Sequence, residues 1–104
     1  MEDKITAPAL IDADFVFRCV GDSMINARIF DGDIVYIRQQ ETVENGEIAA
    51  VLVGDAVHLG RIWNQTDGFM LQPENPAYRS QIFYRGQDRA RIIGKAVGAS
   101  ITIV

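Results

Sequence analysis

The sequence predicts a mostly β protein, with twisted strands forming a sheet or a partly open barrel and little helix. Three observations lead there. Apolar residues alternate with polar ones at period two along much of the chain, the pattern of half-buried strands. Short turn signals such as Gly21-Asp22, Gly54-Asp55 and Gln65-Thr66-Asp67-Gly68 punctuate these runs at close intervals. Sustained helical periodicity is missing, and many short strands separated by turns imply a β sheet or barrel.

The first strand runs from Phe15 to Val20, with Phe15, Phe17 and Cys19 on one face and Val16, Arg18 and Val20 on the other. Gly21-Asp22 then turns the chain. Residues 23–30, with Met24, Ala27 and Ile29, have the spacing of a single helical turn, and Ser23 is placed to cap it. Ile34-Val35-Tyr36-Ile37, bounded by Asp31-Gly32-Asp33 and the polar run 38–41, is a second strand. Residues 47–53 and 56–63 flank Gly54-Asp55 and form a hairpin whose register that short connection sets. Phe69-Met70-Leu71-Gln72 follows, and Pro73-Glu74-Asn75-Pro76 stops sheet pairing, because proline lacks the ladder donor. Residues 81–84 and 90–97 carry further strand signals, with a short end strand expected over 100–104. Residues 1–14 read as a tail or linker around Ala7-Pro8-Ala9, and 15–104 as one domain.

Composition narrows the function. The chain has 104 residues, too few for a second core of useful size. Fourteen acidic side chains against ten basic ones give a formal net charge of −4. Binding nucleic acid by itself is therefore not expected, since phosphate neutralisation needs clustered Lys and Arg. Arg79, Arg85, Arg89 and Arg91 lie close in sequence, but with Asp88 and apolar neighbours they read as a solvated strand face. The single cysteine, Cys19, cannot close an internal disulfide and fits a buried thiol in a reducing, cytoplasmic setting. No apolar run approaches the ~20 residues of a membrane span. With one histidine and one cysteine there is no metal-ligand spacing, and no phosphate-cradling glycine loop appears, so no metal or cofactor is expected. Trp63, Phe69, Met70, Tyr78, Phe83 and Tyr84 are expected mostly to fill the core, with some left as partner surface.

The stretch with chemical potential is Gly21-Asp22-Ser23-Met24. A serine just past a glycine-containing turn at a strand end sits on an exposed corner, where neighbouring N–H groups can face a developing oxyanion. The same residues also suit an ordinary turn or helix cap.

Taken together, Gly21-Asp22-Ser23-Met24, Phe30-Asp31-Gly32-Asp33-Ile34-Val35, Asn45-Gly46-Glu47-Ile48-Ala49, Gly60-Arg61-Ile62, Leu71-Gln72-Pro73-Glu74-Asn75 and Ile93-Gly94-Lys95-Ala96-Val97-Gly98 occur in one order and spacing across nearly the whole chain. This set resembles the C-terminal domain of LexA-type and lambda-type phage repressors, a peptidase domain shared with UmuD-like mutagenesis proteins. The resemblance implies that Ser23 holds the position of the nucleophile of a Ser-Lys dyad, with Gly21, Asp22 and Met24 shaping its turn. It also implies a homodimer, self-cleavage stimulated by the RecA filament, and DNA binding only through an N-terminal helix-turn-helix domain that this sequence does not contain. The family's cleavage site is expected farther upstream than the twenty-two residues ahead of Ser23.

One position departs from the pattern. The family's lysine stands directly before the Arg-aliphatic pair that reads Arg61-Ile62 here, so the general base is expected at Gly60, which has no side chain to accept a proton. Lys95 falls in a different, non-catalytic motif. His58 shares a strand face with position 60 but lies about 6–7 Å further back along the strand. It is read as an ordinary sheet residue expected to fall short of the serine, with a substitute base as the alternative. An inactive dimerisation module and an active serine peptidase using another base are thus both in view.

Overall fold

The computed structural model describes residues 12–87 and 89–101. Among them are β1 (Phe15–Arg18), β2 (Ile34–Gln39), β3 (Ile48–Val53), β4 (Ala56–Gln65), β5 (Gly68–Gln72), β6 (Gln81–Tyr84) and β7 (Ala90–Ser100). They form one open, antiparallel sheet in the order β1-β2-β7-β3-β4-β5-β6. The predicted mostly β class holds, and among the described residues no helix is long and apolar enough to cross a membrane.

The alternation seen in the sequence becomes the two sides of this sheet. The Gly54-Asp55 turn closes the β3–β4 hairpin with Val53 opposite Ala56, which sets Ala50 opposite Leu59 and Ala49 opposite Gly60. Cross-strand partners share a face. Ala50 and Leu59 accordingly join a buried cluster with Cys19, Met24, Ile29, Val35 and Ile37. Ala49 and Val51, one residue out of phase, join Val43, Ile62, Leu71, Phe83 and Ile92 in a second. The residues between β1 and β2 cover the first cluster, and so the serine turn is packed onto the sheet.

Strand β7 holds the sheet together. Its first half pairs with β3 and its second with β2, and the register shifts once in each ladder. Gly94 lies where the two ladders overlap, opposite both Ala50 and Gln39. A Cβ on it would come within 2.4 Å of Ile37 Cγ2 and 2.5 Å of the Arg38 carbonyl oxygen, so only glycine lets the strands approach this closely.

Several expectations are corrected. The first strand ends at Arg18 rather than Val20, because the Cys19 N–H turns to the Asp33 carbonyl and the Gly32 N–H to the Cys19 carbonyl. The helical turn shrinks to a single 3-10 turn, Ile25–Ala27, whose N-cap is Met24 with no side-chain cap, so Ser23 does not cap it. The short end strand expected over 100–104 falls mostly on residues that are not described. Ser100 is the last residue of β7, and residues 102–104 lie outside the described residues, as does the Ala7-Pro8-Ala9 linker. The aromatic residues do not mostly fill the core. Phe83 is buried, whereas Trp63, Tyr78 and Tyr84 are exposed, because β4 to β6 carry a packed cluster on one face only.

Candidate active site

The Asp31-Gly32-Asp33 motif builds the platform for the serine. Buried Asp33 accepts the Phe30 N–H on its carboxylate at 2.8 Å, and its backbone carbonyl takes the Cys19 N–H at 2.8 Å. Asp31 accepts the Gly21 N–H at 2.7 Å. Gly21 itself has φ +88°, a left-handed conformation that glycine adopts without penalty. Met24 then drops fully into the core, its carbonyl accepting the Ala27 and Ile29 N–H groups. Between exposed Asp22 and buried Met24, Ser23 is half-buried at the rim. Cys19 beneath it is buried, and burial raises its thiol pKa above the ordinary value, with the charges of Asp33 and Asp31 adding to the effect.

A second segment grips the turn from outside. The Asn75 side chain donates to the Asp22 carbonyl at 2.8 Å and accepts the Ala77 N–H at 2.9 Å. The Tyr78 hydroxyl donates to the Asp22 carboxylate, a bond that raises the tyrosine pKa by favouring its protonated form. On the far side of Ser23, the Asn26 N–H reaches the Glu74 carbonyl. Arg61 anchors this loop in turn, pairing with Glu74 at 3.1 Å and donating to the Gly46 carbonyl. Asn75 and Tyr78 were missed as site residues. Their signal was present in the sequence: an amide side chain between two prolines, where the loop must bond to something other than a strand.

Two clefts open at Ser23. One of about 120 Å³ lies between the end of β1 and β4, and one of about 430 Å³ extends past Leu71 and Pro73 to Tyr78 and Gln81. Ser23, His58 and Leu59 line both. Exposed His58 lines both clefts together with Ser23, and no hydrogen bond joins the two side chains. Gly60 lines neither. A Cβ at position 60 would meet Leu71 Cδ1 at 2.5 Å and Leu71 Cγ and the Gln72 carbonyl oxygen at 3.0 Å, so Leu71 fills the space a side chain would need. Lys95 is engaged elsewhere, 2.6 Å from Glu47, and the two reach across the sheet between β7 and the turn before β3.

Most of the chain is matched by a family of known proteins. The family model described as Peptidase S24-like matches residues 2–97. The chain belongs to the peptidase S24-like family. Within that family it is similar to LexA repressors: 44% identical to LexA repressor 1 of Geobacter sulfurreducens over 84 residues, covering 81% of this chain and 42% of that protein. The LexA repressor of Bacillus mycoides is 41% identical over 103 residues, covering 94% and 48%. That of Caldicellulosiruptor saccharolyticus is 39% identical over 101 residues, with the same coverage. This peptidase S24-like chain therefore spans about half the length of the LexA repressors it matches.

Proposed function

We propose that this domain is the C-terminal dimerisation and regulatory module of a LexA-like repressor, and that its serine site does not cleave at the family's rate. The observation that carries this reading is the occupancy of position 60. A lysine base works when desolvation disfavours its charged form and brings its pKa toward neutrality beside the serine. Here that position offers no side chain, and Leu71 fills the adjoining space. The module's work is then association. Holding two copies together raises the effective concentration of two attached DNA-binding domains at a symmetric operator. The DNA contact belongs to an N-terminal helix-turn-helix domain, the setting is the cytoplasm, and in the family's scheme a RecA filament stimulates the cut that separates the two parts.

A second reading rests on His58. Because it lines both clefts beside Ser23, an imidazole reaching the hydroxyl directly or through one water would supply a general base, and the domain would be an active serine peptidase.

The test joins the chain behind the N-terminal half of the Bacillus mycoides LexA repressor and incubates it at raised pH and with RecA filaments. The first reading expects an intact product from the Gly60 form and cleavage on Gly60→Lys. Cleavage by the Gly60 form that disappears in both Ser23→Ala and His58→Ala establishes the second. Sedimentation that finds only monomer at tens of micromolar removes the dimerisation module.

A further inference from the structure

A cavity of about 310 Å³ opens at one end of the second buried cluster and shares no residue with either serine cleft. Its apolar wall is Phe69, Phe83 and Ile92. Phe83 and Ile92 belong to that cluster and Phe69 packs against it, the two rings tilted at 42° with centroids 5.6 Å apart. The wall is thus built by the core itself and needs no rearrangement to receive a ligand. Small-molecule sites share this character, an apolar lining with a few placed polar groups and volumes of about 300–1,000 Å³. This cavity lies at the small end of that range, which suits a molecule the size of an amino acid.

Register decides which polar side chains face the cavity. The Arg85 N–H bonds to the Asp67 carbonyl at 2.6 Å, which continues the β5–β6 ladder one residue past the pairing of Tyr84 with Gly68. Alternate residues share a face, so Arg85 projects on the side of Phe83. Tyr84 and Arg91 also border the cavity, but their neighbours Phe83 and Ile92 point into the cluster, so both alternate to the other face. On the β4 side, Asn64 stands across from Phe69 and donates its amide to the Val43 carbonyl at 2.9 Å. That bond holds the segment carrying Glu41 against the sheet and leaves the Asn64 side-chain oxygen as an acceptor. Glu41 and Arg85 therefore bring one charge of each sign to the same cavity from separate elements. Among the described residues no ion pair joins them or neutralises either, whereas Arg61 and Lys95 have close carboxylates. A lone anion would meet Glu41 and a lone cation Arg85. A zwitterion with an aromatic side chain satisfies both and covers the rings.

We propose that this cavity is a binding site for a free aromatic α-amino acid. The ligand's ring lies on Phe69, Phe83 and Ile92, its carboxylate takes the Arg85 guanidinium, and its ammonium donates to Glu41 and the Asn64 oxygen. The site stands whether or not Ser23 is reactive.

The probe is L-phenylalanine, titrated into the whole chain and followed by amide resonances, with 3-phenylpropionate and 2-phenylethylamine as molecules that each lack one charge. L-Phenylalanine is expected to shift the amides of residues 41, 42, 68, 69, 83 and 92 saturably. It should bind about tenfold tighter than either comparison, the worth of one charge-assisted contact. Arg85→Gln is expected to bring L-phenylalanine down to the level of 2-phenylethylamine or below, and Glu41→Gln to that of 3-phenylpropionate or below. Both residues are exposed, so neither change threatens the fold. The proposal is overturned by the absence of a saturable shift, by equal binding of either one-charge molecule, by shifts centred on residues 20–24 and 57–59, or by variants that bind as the parent does.

Discussion

The side-chain amide of Asn75 donates to the backbone carbonyl of Asp22 at 2.8 Å, tying the loop between β5 and β6 to the turn that carries Ser23. The serine is therefore held from two directions, by Asp31 and Asp33 on one side and by this loop on the other. Asn75→Ala removes the partner of the part-buried Asp22 carbonyl and Ala77 N–H, and is expected to cost about 1–2 kcal/mol. Urea unfolding measures it. Tyr78→Phe, at the exposed end of the same clamp, is expected to cost less than Asn75→Ala.

Position 60 and Leu71 are predicted to be energetically coupled. Gly60→Ala places a Cβ against Leu71 and should destabilise by about 1–3 kcal/mol through overpacking. Leu71→Ala should cost about 2–5 kcal/mol through the cavity it leaves. The double variant should be more stable than the sum of the two losses, because each change relieves the other. A double-mutant cycle by urea unfolding reads the coupling, and strict additivity would show that the two sites do not share this space.

Gly94→Ala is expected to be among the most damaging single changes, at least about 3 kcal/mol. The added methyl meets the Ile37 side chain and the Arg38 carbonyl, and the carbonyl cannot move without loosening the β2–β7 ladder. Thermal unfolding of the variant against the parent checks this. Gly86→Ala, where a Cβ meets no atom within 4 Å but φ is +80°, should bear backbone strain alone and lose less.

The Glu47–Lys95 pair makes stability fall in acid. The hydrogen bond from Lys95, then that of the Glu44 N–H, holds the Glu47 carboxyl below its ordinary value of 4.5. A carboxyl with a lowered pKa in the folded state stabilises above its unfolded value, and that contribution disappears as pH drops through the folded value. Lys95→Met should flatten the acid side of the stability profile while leaving its shape near neutrality unchanged. Urea midpoints at a series of pH values from neutral downward record it.

Cys19 works in the opposite direction. Its raised thiol pKa means that folding favours the neutral form, so this contribution is complete below the ordinary value of 9.0 and is lost as pH rises above it. Native protein should resist alkylation at mildly alkaline pH, and reactivity should appear together with unfolding. Mass spectrometry after timed iodoacetamide treatment follows both.

The strands were readable because burial on one side of a sheet writes itself into alternate positions: Phe69-Met70-Leu71-Gln72 and the Gly54-Asp55 hairpin needed no tertiary information. The ends of elements were not so readable. Cys19 continues the alternation of β1, yet its N–H goes to Asp33, a contact fourteen residues away that no local pattern announces. The site followed the same division. Gly21-Asp22-Ser23-Met24 was visible as a motif, and the lack of a side chain at Gly60 was visible as a letter. Leu71 in the space beside Gly60, and Asn75 reaching across to Asp22, depend on the order of strands in the sheet and could only be seen in three dimensions.

That order has a consequence for how the chain is made. Strand β7, emerging last from the ribosome among these elements, lies between β2 and β3 and supplies the pairing that connects them. Until it arrives, the β1–β2 ribbon and the β3–β6 meander are two unjoined pieces with apolar edges facing water, and these long-range pairings are slow to form. Synthesis must therefore pass β7 before the serine turn acquires the floor it rests on, and a chain stopped short of residue 90 would carry every residue of the candidate site without being able to assemble it.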